Sequence, residues 1–579
     1  VNYIFLSNGL TSALENNYSI EWFPVPRFDS QSVFNKILDN EKGGCFAVYP
    51  TSFSSVKSEY IDYSLVSTTK FFNNGELIAK IIDFLPLSVP AIIRIYESKV
   101  PLNIEIGPLF NYGLITPSTN LRYNGIVYKN PLSKEGLELM IEGKFEVLTP
   151  FKLRISSGNG FLYLLYSRDL KYGLFSSKTL EYPEPYDALY KILNYYRFKI
   201  NMSKKIKYFN EAYLRSLSVI LGLIYRPSGG IISSPTTSIP EIIGRDRNWD
   251  YRYVWVRDAS YAIEALTKAN LLSEARKALD FLIGIADPST KTFDHPYYLI
   301  DGTPPLAEEE IEWLEGFKNS KPVRIGNAAY LQMQSDIEGA FLNSFYEYVK
   351  TTNDKKYLEE NFWIVEAIAE WTKNAWYKES TDIWEERNIT RHYVHTKVMC
   401  WVSLDRASKI AKILGLKDLA DEWDSMAEII KNDILKNGVK DGHFIRYYGG
   451  NEVDASLLTL PIYDFINVEN PIFLKTLEVI ERELKIKEGL YLRYKRDFLG
   501  DVVNPFTLVT TWMARIYIRL GEYEKAKNLI KRLIECSNSY MLLGEHLDAE
   551  SCEARGNFPH IFPHTGLVLA IVELNESMS

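Results

Sequence analysis

Residues 381–387, TDIWEER, set a tryptophan against two neighbouring glutamates and an arginine. Adjacent residues in a short turn before a helix project in different directions, so only one of Glu385 and Glu386 is expected to share a cavity with Trp384. A carboxyl against an indole is poorly solvated when charged, so its pKa rises, which is what a general acid requires. A second station is LLGEHLDAE, residues 542–550, where Glu545 follows a glycine between two helical stretches. Hydrolysing an acetal needs two carboxyl groups across the scissile bond: one protonates the leaving oxygen and the other attacks or activates water. In a third station, NWDYRYVWVRDAS, Arg257 and Asp258 are adjacent at the start of an expected helix. There they could make charge-assisted hydrogen bonds to vicinal hydroxyls, or Asp258 could simply cap the helix. Taken singly, each glutamate also fits a solvated surface and Trp384 fits a core.

Other chemistries fit less well. The chain lacks G-x-S-x-G, HExxH and GxxxxGK[ST], and SGNG at 157–160 reads as a turn between strands. His392 with His395, and His560 with His564, have spacings a metal could use, but no cysteine or carboxylate pattern completes a site, so packing or loop hydrogen bonding is the better account. Four cysteines, Cys45, Cys400, Cys536 and Cys552, form no CxxC pair; a disulfide is allowed but unsupported. With 66 basic and 74 acidic residues interspersed, the chain has no basic field for nucleic acid. No apolar run approaches the roughly 18 residues of a membrane span. The N-terminus lacks the basic and apolar regions of a signal peptide, so a cytoplasmic location is expected.

The elements that must position these stations fall into two regions. Up to about residue 195, short runs rich in Val, Ile, Tyr and Phe alternate with Gly, Pro, Asn and Ser, among them SIEWF, AIIRIYE and GFLYLLYS. They predict an antiparallel β-sandwich. From about Phe198 the period becomes helical. Asn210 is a candidate cap for the first helix, and further helices are expected at 258–270, 273–286, 333–349, 355–376, 398–412, 417–436, 466–483, 505–519, 522–536 and 563–575, with room for another in 303–318. Consecutive apolar stripes there read as antiparallel helix pairs. The three stations fall in loops too polar for a core and too aromatic for plain solvated turns, which suits a pocket gripping a polar ligand with apolar faces.

These segments carry a resemblance. GRDRNWDYRYVWVRDASYAIEAL, DIWEERN with HTKVMCWVSLDRA, and GNFPHIFPHTGLVLAIVEL resemble characteristic segments of the prokaryotic glucoamylase-like glycoside hydrolases of family 15. That family includes glucoamylases, glucodextranases and some α,α-trehalases. The N-terminal segment from LSNGLTSALENNYSIEWF and SPTTSIPE at 234–241 are similar to the family's attached β-domain and to its entry into the catalytic domain.

The resemblance implies a multidomain α and β chain: a β-sandwich over 1–195, a linker at 196–208, and a catalytic (α/α)6 barrel over 209–579. It implies Glu385 as general acid and Glu545 as general base. Arg257 and Asp258 would hold the terminal glucose, Trp255 and Trp384 would wall it, and Glu386 and Arg387 would lie near the leaving sugar. The implied activity is inverting, exo-acting release of β-D-glucose from malto-oligosaccharides or related α-glucans by a glucoamylase, with an α,α-trehalase as the rival reading. An inverting pair leaves room for a water, roughly 6.5–9.5 Å between carboxyls. No cofactor or metal is expected, because two carboxyls and a water complete the chemistry. The expected partner is an oligosaccharide or disaccharide, with the β-domain supporting the barrel or forming a homo-oligomer. The C-terminal motif departs from the commoner GNFPQAFSH by His560 and Pro563, a difference expected to bear on substrate preference.

Overall fold

A computed structural model describes residues 2–170, 183–290 and 292–579. The N-terminal region builds two antiparallel sheets. One has the order β1 (Ile4–Ser7), β2 (Ser12–Asn16), β3 (Ser19–Trp22), β4 (Phe46–Pro50), β9 (Leu102–Ile106), β14 (Lys152–Ile155), β13 (Phe145–Thr149). The other has the order β10 (Ser118–Arg122), β11 (Gly125–Lys129), β12 (Gly136–Glu142), β15 (Gly158–Ser167), β8 (Ala91–Ser98), β7 (Glu76–Phe84), β6 (Ser67–Asn73), β5 (Ser55–Tyr60). Their facing apolar side chains form the sandwich core expected from the alternating runs. Between the sheets lies a fully buried ion pair, Arg94 on Asp83, whose guanidinium also donates to the carbonyls of Phe46 and Tyr18. Those extra acceptors satisfy the donors that burial removes from water.

The helical region is a double ring. Helices α3 (Val256–Lys268), α5 (Ile337–Thr352), α7 (Val394–Ile413), α11 (Thr507–Arg519) and α13 (Ile561–Met578) pack side by side. The ring closes through a short helical segment at 455–462, ending in α9 (Thr459–Ile462), which touches both α7 and α11. Outer helices α4 (Leu272–Ile285), α6 (Lys355–Ala375), α8 (Lys417–Asn437), α10 (Pro471–Leu484), α12 (Tyr523–Glu535) and α2 (Asn210–Gly222) pack over the inner ring, with α4, α6 and α12 each bridging two inner helices. Burial follows position. The inner α13 is apolar nearly all round, whereas the outer α12 buries only Ala526, Leu529, Ile530 and Leu533.

Several local expectations need correction. The 303–318 segment forms no α-helix but a hairpin approach, Glu309–Ile311 paired with Val323–Ile325, with Pro304 and Pro305 before it and Gly316 at φ 83° after it breaking any helical ladder. Asn210 opens α2 rather than capping it; the cap position is Phe209 at φ 61°. Asp258 is not a cap either, because α3 begins at Val256 and Trp255 holds the cap position. A helix the strand-like reading passed over, α1 (Pro185–Met202), starts on Pro185 with Glu184 capping Asp187. Cys536 and Cys552 form a disulfide, while Cys45 and Cys400 are free. Among the described residues no helix is long and apolar enough to cross a membrane.

The sandwich is fastened to the double ring by buried polar contacts. Trp22 donates its indole N–H to the Pro235 carbonyl at 2.8 Å, and Ser7 bonds the Gly222 carbonyl at 2.6 Å. Arg252, one turn of chain before the candidate site, reaches the Ser30 carbonyl and the Tyr112 hydroxyl. Site loops are thus braced from the β-domain.

Candidate active site

Loops at one end of the double ring bring the three stations together. The approach to α3 runs through a strand pair, Val254–Trp255 with Tyr297–Tyr298. Trp255 stacks on Tyr297 with ring centroids 4.4 Å apart, and Tyr253 stacks on the same tyrosine at 5.2 Å. This buried aromatic wall aims the Trp255 indole N–H at Glu385 Oε2, 2.9 Å away. The Gln334 amide donates to the same oxygen at 2.6 Å.

Glu385 itself sits at φ 60°, in the left-handed region that a non-glycine residue adopts at some cost. Its N–H bonds the Asp382 carbonyl and the Glu386 N–H bonds the Asp382 carboxylate, both at 3.1 Å, closing a tight turn. The two glutamates diverge as the turn requires. Glu386 swings to Arg446, 3.3 Å away, which also grips Asp382 at 2.7 Å. The tryptophan partner of the acid differs from expectation. Trp384 turns its N–H to Asp454 at 2.6 Å and packs edge-on against Phe506, so Trp255, 130 positions away, is the indole that meets Glu385.

Glu545 follows Gly544, in the strand-like turn that pairs His546–Leu547 with Ala554–Arg555. A Cβ on Gly544 would meet the Arg555 carbonyl at 2.8 Å, so the close approach of the two arms favours glycine there. The Glu545 carbonyl accepts from Thr507, fixing the loop to the start of α11. Its carboxylate is 3% exposed and lies between two imidazoles: His546 Nε2 is 3.1 Å from Oε1, and His560 Nε2 is 3.0 Å from Oε2. Tyr251 offers its hydroxyl to Oε1 at 3.5 Å and meets Trp255 edge-on at 5.5 Å. One tyrosine therefore touches the base station and the indole that holds the acid station.

The electrostatics separate the two carboxyls. Burial pushes the Glu385 pKa up, and the opposing pull of Arg257, Gln334 and Trp255 does not cancel it. Burial also acts to raise Glu545, but the His546 and His560 donors outweigh it and hold that carboxyl well below the usual range. Behind them, Glu241 is kept ionised: burial is outweighed by Arg493, 3.1 Å away, and His546, 3.5 Å away.

Arg257 and Asp258 are both buried beside this centre. Arg257 is already engaged by Asp336 at 2.8 Å and by the Gln334 carbonyl oxygen. Asp258 takes a hydrogen bond from Ser233 at 2.7 Å through one oxygen; the other makes no hydrogen bond and only a 3.7 Å ion pair to Arg257. Burial pushes the Asp258 pKa up to about 6 against the pull of Arg257. Arg387 forms a two-point pair with Glu308 at 3.0 and 2.7 Å and lies over the Trp249 ring. Together with Tyr251, Trp384, Glu385, Glu386 and Arg493, Arg387 and Trp249 line a narrow cleft.

Sequence reasoning missed Gln334, Glu308, Glu241 and the histidines on Glu545. The His560 and His564 side chains turn to different partners: His560 faces Glu545, while His564 bonds Ser216 and the Leu543 N–H. Glu241, Glu545 and His546 place ligand-type atoms within 4.8 Å of one another. His546 Nε2 lies 3.1 Å from Glu545 Oε1 and 3.5 Å from Glu241 Oε1, so one imidazole nitrogen faces both carboxylates.

The family model described as Glycosyl hydrolases family 15 matches residues 207–572, which hold every site residue above. The chain belongs to glycosyl hydrolase family 15. A second model, described as Trehalase-like, N-terminal, matches residues 3–131 of this family 15 glycoside hydrolase. It is 62% identical over 577 residues to a protein named Trehalase 2 of Sulfolobus acidocaldarius, covering 100% of each chain. It is 42% identical to Trehalase 1 of the same organism, covering 98% of each. Among solved structures, a bacterial glucoamylase complexed with acarbose matches with a TM-score of 0.75 at 15% identity, over 99% of this chain and 93% of that one. That likeness bears out the expected architecture of sandwich followed by double helical ring.

Proposed function

We propose that this family 15 hydrolase is an α,α-trehalase that inverts configuration at the carbon it attacks. The observation that carries the reading is the 62% identity to a protein named Trehalase 2 along the whole chain, β-domain and catalytic region alike. It favours the trehalase over the glucoamylase expected first, whose solved bacterial relative shares the fold at 15% identity. The charge-rich cleft beyond Glu385 supports the same choice. Arg387, Arg247, Asp497 and Glu386 line it, each fixed by an ion pair: Arg387 on Glu308, Arg247 on Asp497 and Glu386 on Arg446. Such a surface suits one compact, hydroxyl-rich leaving glucose better than a long glucan.

In this reading one glucose of trehalose lies against Trp255, with Arg257 and Asp258 taking its hydroxyls. Glu385, protonated, gives its proton to the bridging oxygen as the bond from C1 breaks. Glu545, ionised, takes a proton from the water whose oxygen bonds to C1 from the opposite face. The attacked glucose leaves as the β-anomer and its partner as the α-anomer. Trp384, Glu386 and Arg387 lie on the leaving-sugar side.

The test is separate incubation with trehalose, maltotriose and isomaltose, following glucose release and its anomers by proton NMR. Trehalose is expected to give equal α- and β-glucose in the first turnovers and the other two little product. Faster release from maltotriose than from trehalose would return the reading to a glucoamylase.

A further inference from the structure

The His560 imidazole is held in one orientation and one tautomer. At the cap of α13, its Nδ1 accepts the Phe562 N–H at 3.0 Å. A nitrogen that accepts carries no proton, so in the neutral ring the proton is on Nε2, which lies 3.0 Å from Glu545 Oε2. The ring is 1% exposed, lies 4.6 Å from the Phe562 ring, and meets Tyr251 edge-on at 5.4 Å. Tyr251 in turn abuts Trp255, which donates to Glu385. His560, Tyr251 and Trp255 thus form a continuous row of rings from one carboxyl to the other.

We propose that His560 is a positioning residue for the base: its locked Nε2–H orients the Glu545 carboxylate and keeps it ionised. The idea rests on the proposed role of Glu545. The other groups facing that carboxylate are His546 on Oε1 and the Tyr251 hydroxyl, with Glu241 and Arg493 behind His546. None of them bonds Oε2, so the His560 N–H has no substitute among the described residues. A hydrogen bond to a charged acceptor is worth about tenfold to a hundredfold in an equilibrium, which sets the scale of the expected loss.

The experiment compares His560→Phe, which keeps a ring but removes the N–H, with His560→Gln, which keeps an N–H donor but removes the ring. For each, kcat and KM for trehalose are measured from acid to neutral pH, with thermal melting alongside. Phe is expected to lower kcat about tenfold or more with KM little changed and to move the acid limb of kcat to higher pH. Gln is expected to restore the acid limb and most of the rate. Both lose the cap on Phe562, so melting alone does not separate them. Equal losses in the two variants with an unmoved acid limb would overturn the inference and leave His560 a packing residue. Glu545→Gln serves as control: if it remains active, the role of Glu545 itself fails; if it is inactive while His560→Phe keeps the wild-type limb, only the positioning role fails.

Discussion

Glu385 and Glu545 are both withdrawn from water at one end of the double ring, linked through Trp255 and Tyr251, yet their neighbourhoods differ in kind. Around Glu385, an indole N–H and an amide converge on a single oxygen, and the nearest full positive charge, Arg257, is already spent on Asp336. Around Glu545, each oxygen has its own imidazole, and a second carboxylate with its arginine stands behind. Burial alone would raise both. The donors decide the outcome, leaving Glu385 raised and Glu545 lowered. A pair of like residues is turned into an acid and a base by what surrounds each, without any difference in the residues themselves.

The two corners are also held differently. Glu385 depends on backbone: a left-handed residue inside a turn tied by Asp382. Glu545 depends on a short hairpin whose far side carries Cys552, bonded to Cys536 at the end of α12.

Replacing either carboxyl should have the largest effect. Glu385→Gln and Glu545→Gln are each expected to lower kcat for trehalose by about 10²–10⁴-fold, measured with the fold verified by circular dichroism. A smaller change in either would remove that residue from proton transfer. Next in size is the clamp on the base corner. Cys536→Ser opens a loop closed across 16 positions and should cost about 3 kcal/mol of stability, read as a lower melting temperature. Its kcat at moderate temperature should be preserved; loss of kcat without loss of stability would mean the clamp orients Glu545 directly. The smallest effect is expected at the acid corner. Trp255→Phe removes a donor that favours the ionised form of Glu385, so the carboxyl should hold its proton to higher pH. The alkaline limb of the kcat profile should then shift upward, with a rate loss of about tenfold or less at the optimum. A downward shift would contradict the assignment of Glu385 as the acid.

Much of this arrangement was legible because it is local. The alternation of β1–β15, the 3.6-residue period of the long helices and the divergence of Glu385 from Glu386 all follow from residues within a few positions of one another. Failures came where a partner is distant or an element is short. The inner position at 455–462 is too brief to show a period, and Trp384 looked like the partner of Glu385 only because it is adjacent. Trp255 wins that place because its ring is pinned on Tyr297, a contact no spacing reveals. His560 and His564 suggested a pair by their spacing, yet α13 starts between them and sends one to Glu545 and the other to Ser216. Glu308 was hidden in a segment with helical composition whose pairing with 323–325 is non-local.

The division of labour between the two glutamates is tested most directly with α-D-glucosyl fluoride, whose leaving fluoride needs no proton. Initial rates of fluoride release are measured for the wild type, Glu385→Gln and Glu545→Gln. The account predicts that Glu385→Gln, nearly inactive on trehalose, keeps much of its rate on the fluoride while Glu545→Gln is crippled on both. The reverse pattern, or equal losses on the fluoride, would contradict it.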